Sequence, residues 1–443
     1  MSSTVDHIMP MSCEELLYQF SKMDSVLMPT EIDLYIETMK PQRMKNIGNE
    51  QWLEWHQRVQ KLNQQALVEA SALKEEYVKE SLVTYKRINI LVHESILINI
   101  WKYKVLPLIL KMEPRPESTF VAYSVLYHEA VCVALLELVM FHEYCCESLG
   151  DQSADLLDYL SGASARLLSV TYEPGELNEN ATEELYRQRN NLCFEIGIKA
   201  LTIIRYLADS INRLPISILS KMYTTYDIPV LFTEILLKNP WNVDGKQYTG
   251  GKWKNADGSQ VCQPEAQVWL TLRTLLLDPE CQNYYNITDS RKSQLLKILP
   301  FMSHLLLDQM SPLIELKHWL CRLSVMENSG NSGKPFIIET SLEIKQGILK
   351  ETGEKWKKIA ETQRPVIFTK DKQALKDAAN KLSEAYNTDL LEKLDISDKN
   401  TTCARCGKDS IQKCSRCKTS WYCSRVCQVE HWNQHKEYCK PVC

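Results

Sequence analysis

Apolar side chains recur along most of this chain at the three-to-four-residue spacing of a helix that buries one face. The pattern is plainest around residue 201. Leu201, Ile204, Leu207, Ala208 and Ile211 share a face, with Thr202, Arg205, Asp209 and Asn212 between them. The run EQWLEWHQRVQKLNQQALVEASALKEEYVKESLV (50–83) is amphipathic and free of Pro and Gly, so it predicts long helix. HEAVCVALLELVMFHEYC (128–145) is apolar on nearly every side, which predicts a central buried helix. Start signals agree. Ser12 and Glu15 have capping-box spacing ahead of Leu16 and Leu17, and YDIPVLFTEILLKNPW opens with Asp227 as an expected cap and Pro229 in the first turn.

Short helices joined by short polar turns, with a Pro early in one helix of each pair, resemble armadillo or HEAT units. No fixed period emerges, so the expectation is a mainly α protein with an irregular α-solenoid body. Three stretches interrupt the helices: a polar loop at 171–184, a Gly-, Asn- and Asp-rich segment with Trp, Tyr and Val at 241–263 that predicts a short hairpin insertion, and a flexible connector at 327–335. A last helix, KDKQALKDAANKLSEAYNTDLLEKL, precedes the polar run DISDKNTT. The expected organisation is a helical body over 1–395, a linker over 396–402 and a small cysteine-rich module over 403–439.

Composition narrows the class. Fourteen glycines in 443 residues, about 3% against a usual ~7%, favour helices over tight turns. With 52 Lys and Arg against 56 Asp and Glu, the net charge of −4 gives no overall attraction to nucleic acid or anionic membrane. The first twenty residues lack the basic and apolar regions of a signal peptide. The apolar stretch 88–112 is broken by His93, Glu94, Lys102 and Lys104, so no transmembrane segment is expected. Cys443 is terminal and forms no C-a-a-X box. The expected compartment is the cytoplasm, where thiols stay reduced and clustered cysteines suggest metal rather than disulfides. The sequons at Asn180, Asn286 and Asn400 then read as chance matches.

The body carries no recognisable catalytic motif. GNSGKP lacks the spacing and the Ser or Thr of a phosphate-binding loop, which leaves Lys334 a solvated turn residue. The pairs His93–Glu94, His128–Glu129 and His142–Glu143 are not followed by the second His of a zinc-protease helix. Cys132, Cys145, Cys146 and Cys193 sit among apolar residues, as small buried hydrophobes do.

The chemistry gathers at the end, in CARCGKDSIQKCSRCKTSWYCSRVCQVEHWNQHKEYC (403–439). Its spacing, C-x2-C-x7-C-x2-C-x5-C-x3-C-x7-H-x3-C, supplies seven Cys and one His. Structural Zn²⁺ takes four N or S ligands, so these eight imply two ions with no open position for water or substrate. The zinc would be structural, holding a module too small for a core of its own. Cys423–Cys427 and His435–Cys439 are four apart, which predicts each pair on one helix face. A sequential pairing of ligands and an interleaved one both satisfy the spacing. His431, four residues from both Cys427 and His435, is read as a solvated or packing residue beside Trp432 because eight ligands already suffice. The eight Lys and Arg of 403–443 exceed its three acids by five, and counting seven thiolates and two Zn²⁺ reduces this to about +2, too little to argue for nucleic acid.

This cluster resembles the MYND zinc finger along its whole length, including the run WYCSRVCQVEHWNQH. The resemblance implies the interleaved scheme, with Cys403, Cys406, Cys423 and Cys427 on one zinc and Cys414, Cys417, His435 and Cys439 on the other. In corepressor relatives the finger takes short proline-containing peptides, and the matching groove positions are Ser415, Gln428 and Trp432. A RING finger would need a C-x-H element, which CSRCKTSWYC lacks. The strand and glycine signatures of MYND-bearing SET methyltransferases are also absent. KLNQQALVEASALKEEYVKESLV, HEAVCVALLELVMFHEYCCES, LFTEILLKNPW and AQVWLTLRTLLLDPE extend the likeness over nearly the full chain. It is to axonemal dynein-arm assembly factors with a helical body and one C-terminal MYND finger. That resemblance implies a non-catalytic cytoplasmic adaptor for inner and outer dynein arms of motile cilia. Its partners would be a leucine-rich-repeat co-factor at the finger, the Hsp90-type chaperone system, and axonemal dynein chains as clients. The alternative is a corepressor-type adaptor using the same peptide groove.

Overall fold

The computed structural model describes residues 26–71, 75–173, 179–256, 260–279, 285–326, 340–383, 403–406, 412–414, 420–436 and 439. The chain divides into two units, the larger within Met9–Asn387 and the smaller holding the cysteine-rich end. The expected cap at Ser12, the connector at 327–335 and the linker at 396–402 lie outside the described residues.

The larger unit is mainly α. It opens with α1 (Pro29–Glu37), α2 (Glu50–Ser71), α3 (Tyr77–Thr84), α4 (Ile88–Lys104), α5 (Leu106–Leu110) and α6 (Phe120–Met140). Then come α7 (Glu143–Ser148), α8 (Ser153–Ala165), α9 (Ala181–Asp209), α10 (Ile216–Ser220), α11 (Ile228–Lys238) and α12 (Gln263–Leu277). The unit closes with α13 (Asp289–Leu296), α14 (His304–Gln309), α15 (Leu313–Val325), α16 (Glu343–Thr352), α17 (Trp356–Ile367) and α18 (Lys372–Ser383).

Local chemistry sets many of these bounds. Asn180 starts α9 by accepting the Thr182 and Glu183 backbone N–H groups, while Glu183 returns a carboxylate to the Asn180 N–H. Pro229 and Pro264 occupy first-turn positions where no helical N–H is needed. Gly353 and Asn239 end α16 and α11 in the left-handed conformation. Asp227 does not act as the expected cap. It sits at φ +43°, and its carboxylate accepts the Tyr285 hydroxyl at 2.8 Å and Arg291 Nε at 2.7 Å. A charge-assisted bond to a distant guanidinium has displaced the local one.

α6 lies at the centre, packed on α2, α4 and α9. Among the described residues it is the one helix long and apolar enough to cross a bilayer, and 72% of that window is buried inside the protein. From there α9 packs on α8 and α12, and α12 on α11 and α15. In a solenoid each unit touches only its neighbours. Here α16, α17 and α18 return to the first helices: α16 packs on α4 and α8, α17 on α5 and α6, and α18 on α2 and α6. Gln363 of α17 fastens the return, accepting Trp101 Nε1 at 2.8 Å and donating to the Met44 carbonyl at 2.6 Å. Asp155 of α8 accepts the Ile344 and Lys345 N–H groups at the start of α16. Gly48, at φ +84°, lies so close to Ile367 of α17 that a Cβ would stand 2.5 Å from its Cδ1.

The expected hairpin is a three-stranded meander: β1 (Asn242–Val243), β2 (Lys246–Thr249) and β3 (Lys252–Asn255), antiparallel in that order. Asp244–Gly245 and Gly250–Gly251 make its turns with positive φ at both positions. Phe194 of α9 anchors it, with ring centroids 5.1 Å from Tyr248 and 5.6 Å from Trp253.

Two of the His-Glu pairs form the polar centre of the unit. Glu94, fully buried, accepts the Gln42 N–H at 2.8 Å and Trp55 Nε1 at 3.3 Å, with His93 at 3.1 Å and His128 at 3.5 Å. Burial raises its pKa, but the bonds from His128 and His93 outweigh that and bring it to about 2. His56 lies 2.8 Å from His128, and burial with that neighbour holds its pKa well below the usual value. Glu129 accepts Lys102 Nζ at 2.7 Å and the Tyr159 hydroxyl at 2.9 Å.

Candidate metal centre

The smaller unit is built from a two-stranded ladder and one helix. β4 (Gln412–Lys413) pairs antiparallel with β5 (Trp421–Tyr422), and the Cys414 N–H donates to the Ser420 carbonyl at 2.9 Å. α19 (Arg425–His435) follows, started by Ser424, whose hydroxyl accepts the Cys427 N–H at 3.3 Å. Its described core is Cys403, Cys414, Tyr422 and Cys439, far too little apolar surface to fold on.

Among the described residues two groups of metal-ligating atoms form, each with all atoms within 4.8 Å of one another. Cys403, Cys406, Cys423 and Cys427 make the first; Cys414, His435 and Cys439 make the second. This grouping is interleaved along the chain. Cys417, which the family pattern assigns to the second group, and Ser415 lie outside the described residues. In the first group the sulfurs are 3.5 Å apart for Cys406–Cys423 and Cys423–Cys427 and 3.9 Å for Cys406–Cys427. A tetrahedron with Zn–S of ~2.3 Å has sulfurs about 3.8 Å apart, so the set fits zinc. Cys414 and Cys439 are also 3.9 Å apart. All these cysteines are free, at separations far beyond a disulfide's ~2.05 Å. The two sets can hold two Zn²⁺.

The expectation that each i,i+4 pair shares a helix face is not met. Cys423 precedes the Ser424 cap and Cys439 follows the end of α19, so the pairs straddle the helix termini. Capping chemistry draws Cys423 close to Cys427, and at the other end the Cys439 N–H donates to the His435 carbonyl at 3.0 Å.

Surrounding groups tune the ligands. Burial raises the Cys403 thiol, but N–H groups of Cys423, Cys406 and Arg405 outweigh it and bring the pKa down to about 6. Hydrogen bonds with Cys406 and Cys427 push Cys423 up to about 12. Zinc, when bound, would hold these thiols deprotonated. Ser420 Oγ stands 3.3 Å from His435 Nδ1, a contact of the kind that fixes the ring of a metal-ligating histidine. His431 Nδ1 meets the Tyr422 hydroxyl at 3.0 Å, the packing role read from sequence. Arg405 pairs with Glu430.

Of the expected peptide-binding positions, Gln428 is half-buried on α19, and Trp432 is 36% exposed with its ring 5.9 Å from that of His435. Sequence reading missed their neighbours. Val426 and Val429 are 63% and 65% exposed and stand six and three residues before Trp432, a spacing that was legible in the sequence.

Comparison with known proteins agrees with this geometry. The MYND finger family pattern matches residues 403–439. Human N-lysine methyltransferase SMYD2 is 37% identical over 51 residues, 11% of this chain and 12% of that one. Mouse Tudor domain-containing protein 1 is 40% identical over 73 residues, 16% of this chain and 6% of that one. The methyltransferase likeness is confined to the finger region. No solved structure matches the chain. The zinc finger MYND domain-containing protein 10 homolog of Drosophila melanogaster is different in kind. It is 36% identical over 445 aligned positions that cover 93% of this chain and 98% of the relative. Finger and helical body together therefore place this chain in the zinc finger MYND domain-containing protein 10 family.

Proposed function

We propose that this protein is a non-catalytic cytoplasmic adaptor for the preassembly of inner and outer axonemal dynein arms, and that its finger docks partner proteins. The observation that carries the docking half is the stripe Val426, Val429 and Trp432. It is exposed on a helix of a module whose other face is committed to metal ligands. A metal-fixed helix offers an apolar strip with little ordering entropy left to lose, which favours peptide capture over catalysis. The client half rests on the near full-length resemblance to dynein-arm assembly factors. On that reading a leucine-rich-repeat co-factor binds the finger, Hsp90-type chaperones act alongside, and dynein chains are the clients.

The test is an affinity pull-down from multiciliated cells, comparing the intact chain with one stopped at Asn400. The expected result is dynein chains and chaperones with the intact protein, and loss of the leucine-rich-repeat co-factor on truncation. Chromatin proteins in place of dynein would refute the proposal and favour the corepressor reading.

A further inference from the structure

The larger unit contains a trench of about 510 Å³ that the finger reading leaves unused. Its floor is one face of α6, from Tyr127 through Ala130 and Ala134 to Phe141, beside Ile198 and Thr202 of α9. The end of α2 and the Gly250–Gly251 turn of the meander form the walls. From Tyr127 to Phe141 the helix advances about 21 Å. That is the length of a peptide segment rather than of a compact small molecule, and the alanines let a backbone come close. Phe141 is 65% exposed at one end.

Acids outnumber bases along the trench. Glu76, Glu137 and Glu195 line it, against Lys199 and His142. Glu137 accepts Lys199 Nζ at 2.6 Å, and Glu76 is paired with Lys79 at 2.6 Å and His142 at 2.8 Å. Glu195 makes no hydrogen bond or short ion pair among the described residues, although Lys199 stands one turn away. We propose that this trench binds a segment of a partner protein with apolar residues flanking one Lys or Arg, whose cation pairs with Glu195. Burial pushes the Glu195 carboxyl up to about 7, against the pull of Lys199. A carboxylate kept where its charge is disfavoured is the kind of group a binding site retains against stability. An incoming cation would restore the charge.

The test is selection from a phage-displayed library of 15-residue peptides on the full-length chain. Fluorescence anisotropy of the most enriched peptide follows, alongside its version with the basic residue replaced by Glu. The expected peptides carry one basic residue among apolar ones, and the Glu version binds at least tenfold more weakly. Phe141→Ser, at an exposed position, should weaken binding about tenfold, and Glu195→Gln should remove the preference for the basic residue. Glu195→Gln should also melt higher than the parent at pH 8 and with it at pH 4, which shows that the variant is folded. No enriched peptide, acidic peptides, peptides indifferent to both substitutions, or occupancy by a second copy of the chain in sedimentation would each overturn the proposal.

Discussion

Gln363→Leu tests whether the returning C-terminal helices are integral to the larger unit. Gln363 is 3% exposed, and its amide serves two buried groups at once, the indole N–H of Trp101 and the carbonyl of Met44. Leucine has similar bulk but leaves both unsatisfied. An orphaned buried donor or acceptor costs roughly 1–3 kcal/mol, so two cost about 2–6 kcal/mol, with the gain from burying an apolar side chain offsetting part. The expected loss is about 3 kcal/mol, against total stabilities of ~5–15 kcal/mol. Urea denaturation of the full chain followed by circular dichroism measures it, with Gln373→Leu on the exposed face of α18 as control. The control should change stability by less than about 0.5 kcal/mol. A loss below about 1 kcal/mol for Gln363→Leu would refute the reasoning. The contacts between α17 and the first helices would then be an accessory to a unit closed without them.

Three further outcomes follow. His435→Ala or Cys414→Ala should unfold the finger and leave the body's helical signal intact, because metal supplies the finger's folding energy; global loss of circular dichroism would contradict this. Trp432→Ala should weaken partner capture while zinc content, read by atomic emission, stays at two per chain, and undiminished capture would remove Trp432 from the docking strip. Acid should destabilise the body in two stages. His56 has a lowered folded pKa, so the unfolded chain takes its proton first and stability is lost as pH falls below about 6.5. Glu94, lowered from 4.5 to about 2, contributes about 3 kcal/mol that is present above pH 4.5 and lost as pH falls toward 2. Glu94→Gln should flatten the second stage, and an unchanged pH profile would sink the assignment.

Periodicity and ligand spacing made the helices and the metal chemistry legible. The stripe through Leu201 and Ile211 and the all-round apolarity of α6 are local properties, and each element follows from its own residues. What stayed hidden depends on partners far along the chain. Asp227 has the sequence of a cap, yet Arg291, 64 residues later, claims its carboxylate. Gln363 looks like a surface glutamine until Trp101 and Met44 are brought to it. The His-Glu pairs gave no sign that Glu94 of α4 and His128 of α6 would meet in the core. In the finger the residue types announced zinc, while the cap at Ser424, rather than helical periodicity, sets how Cys423 meets Cys427.

The finger strip and the trench differ in charge, and that difference predicts how they divide their partners. The strip belongs to a module with eight basic and three acidic side chains, which remains at about +2 with both zincs bound. The trench is lined by three carboxylates against one lysine and one histidine, and Glu195 makes no short ion pair among the described residues. A basic segment suited to the trench is disfavoured at the basic finger, because like charge brought into a part-buried site is penalised more strongly than in water. Trp432→Ala and Phe141→Ser should therefore deplete different proteins from the same ciliated-cell extract, and the double variant should lose the sum of the two sets. Quantitative mass spectrometry of matched pull-downs decides this. If both variants lose the same proteins to the same extent, the argument from charge fails.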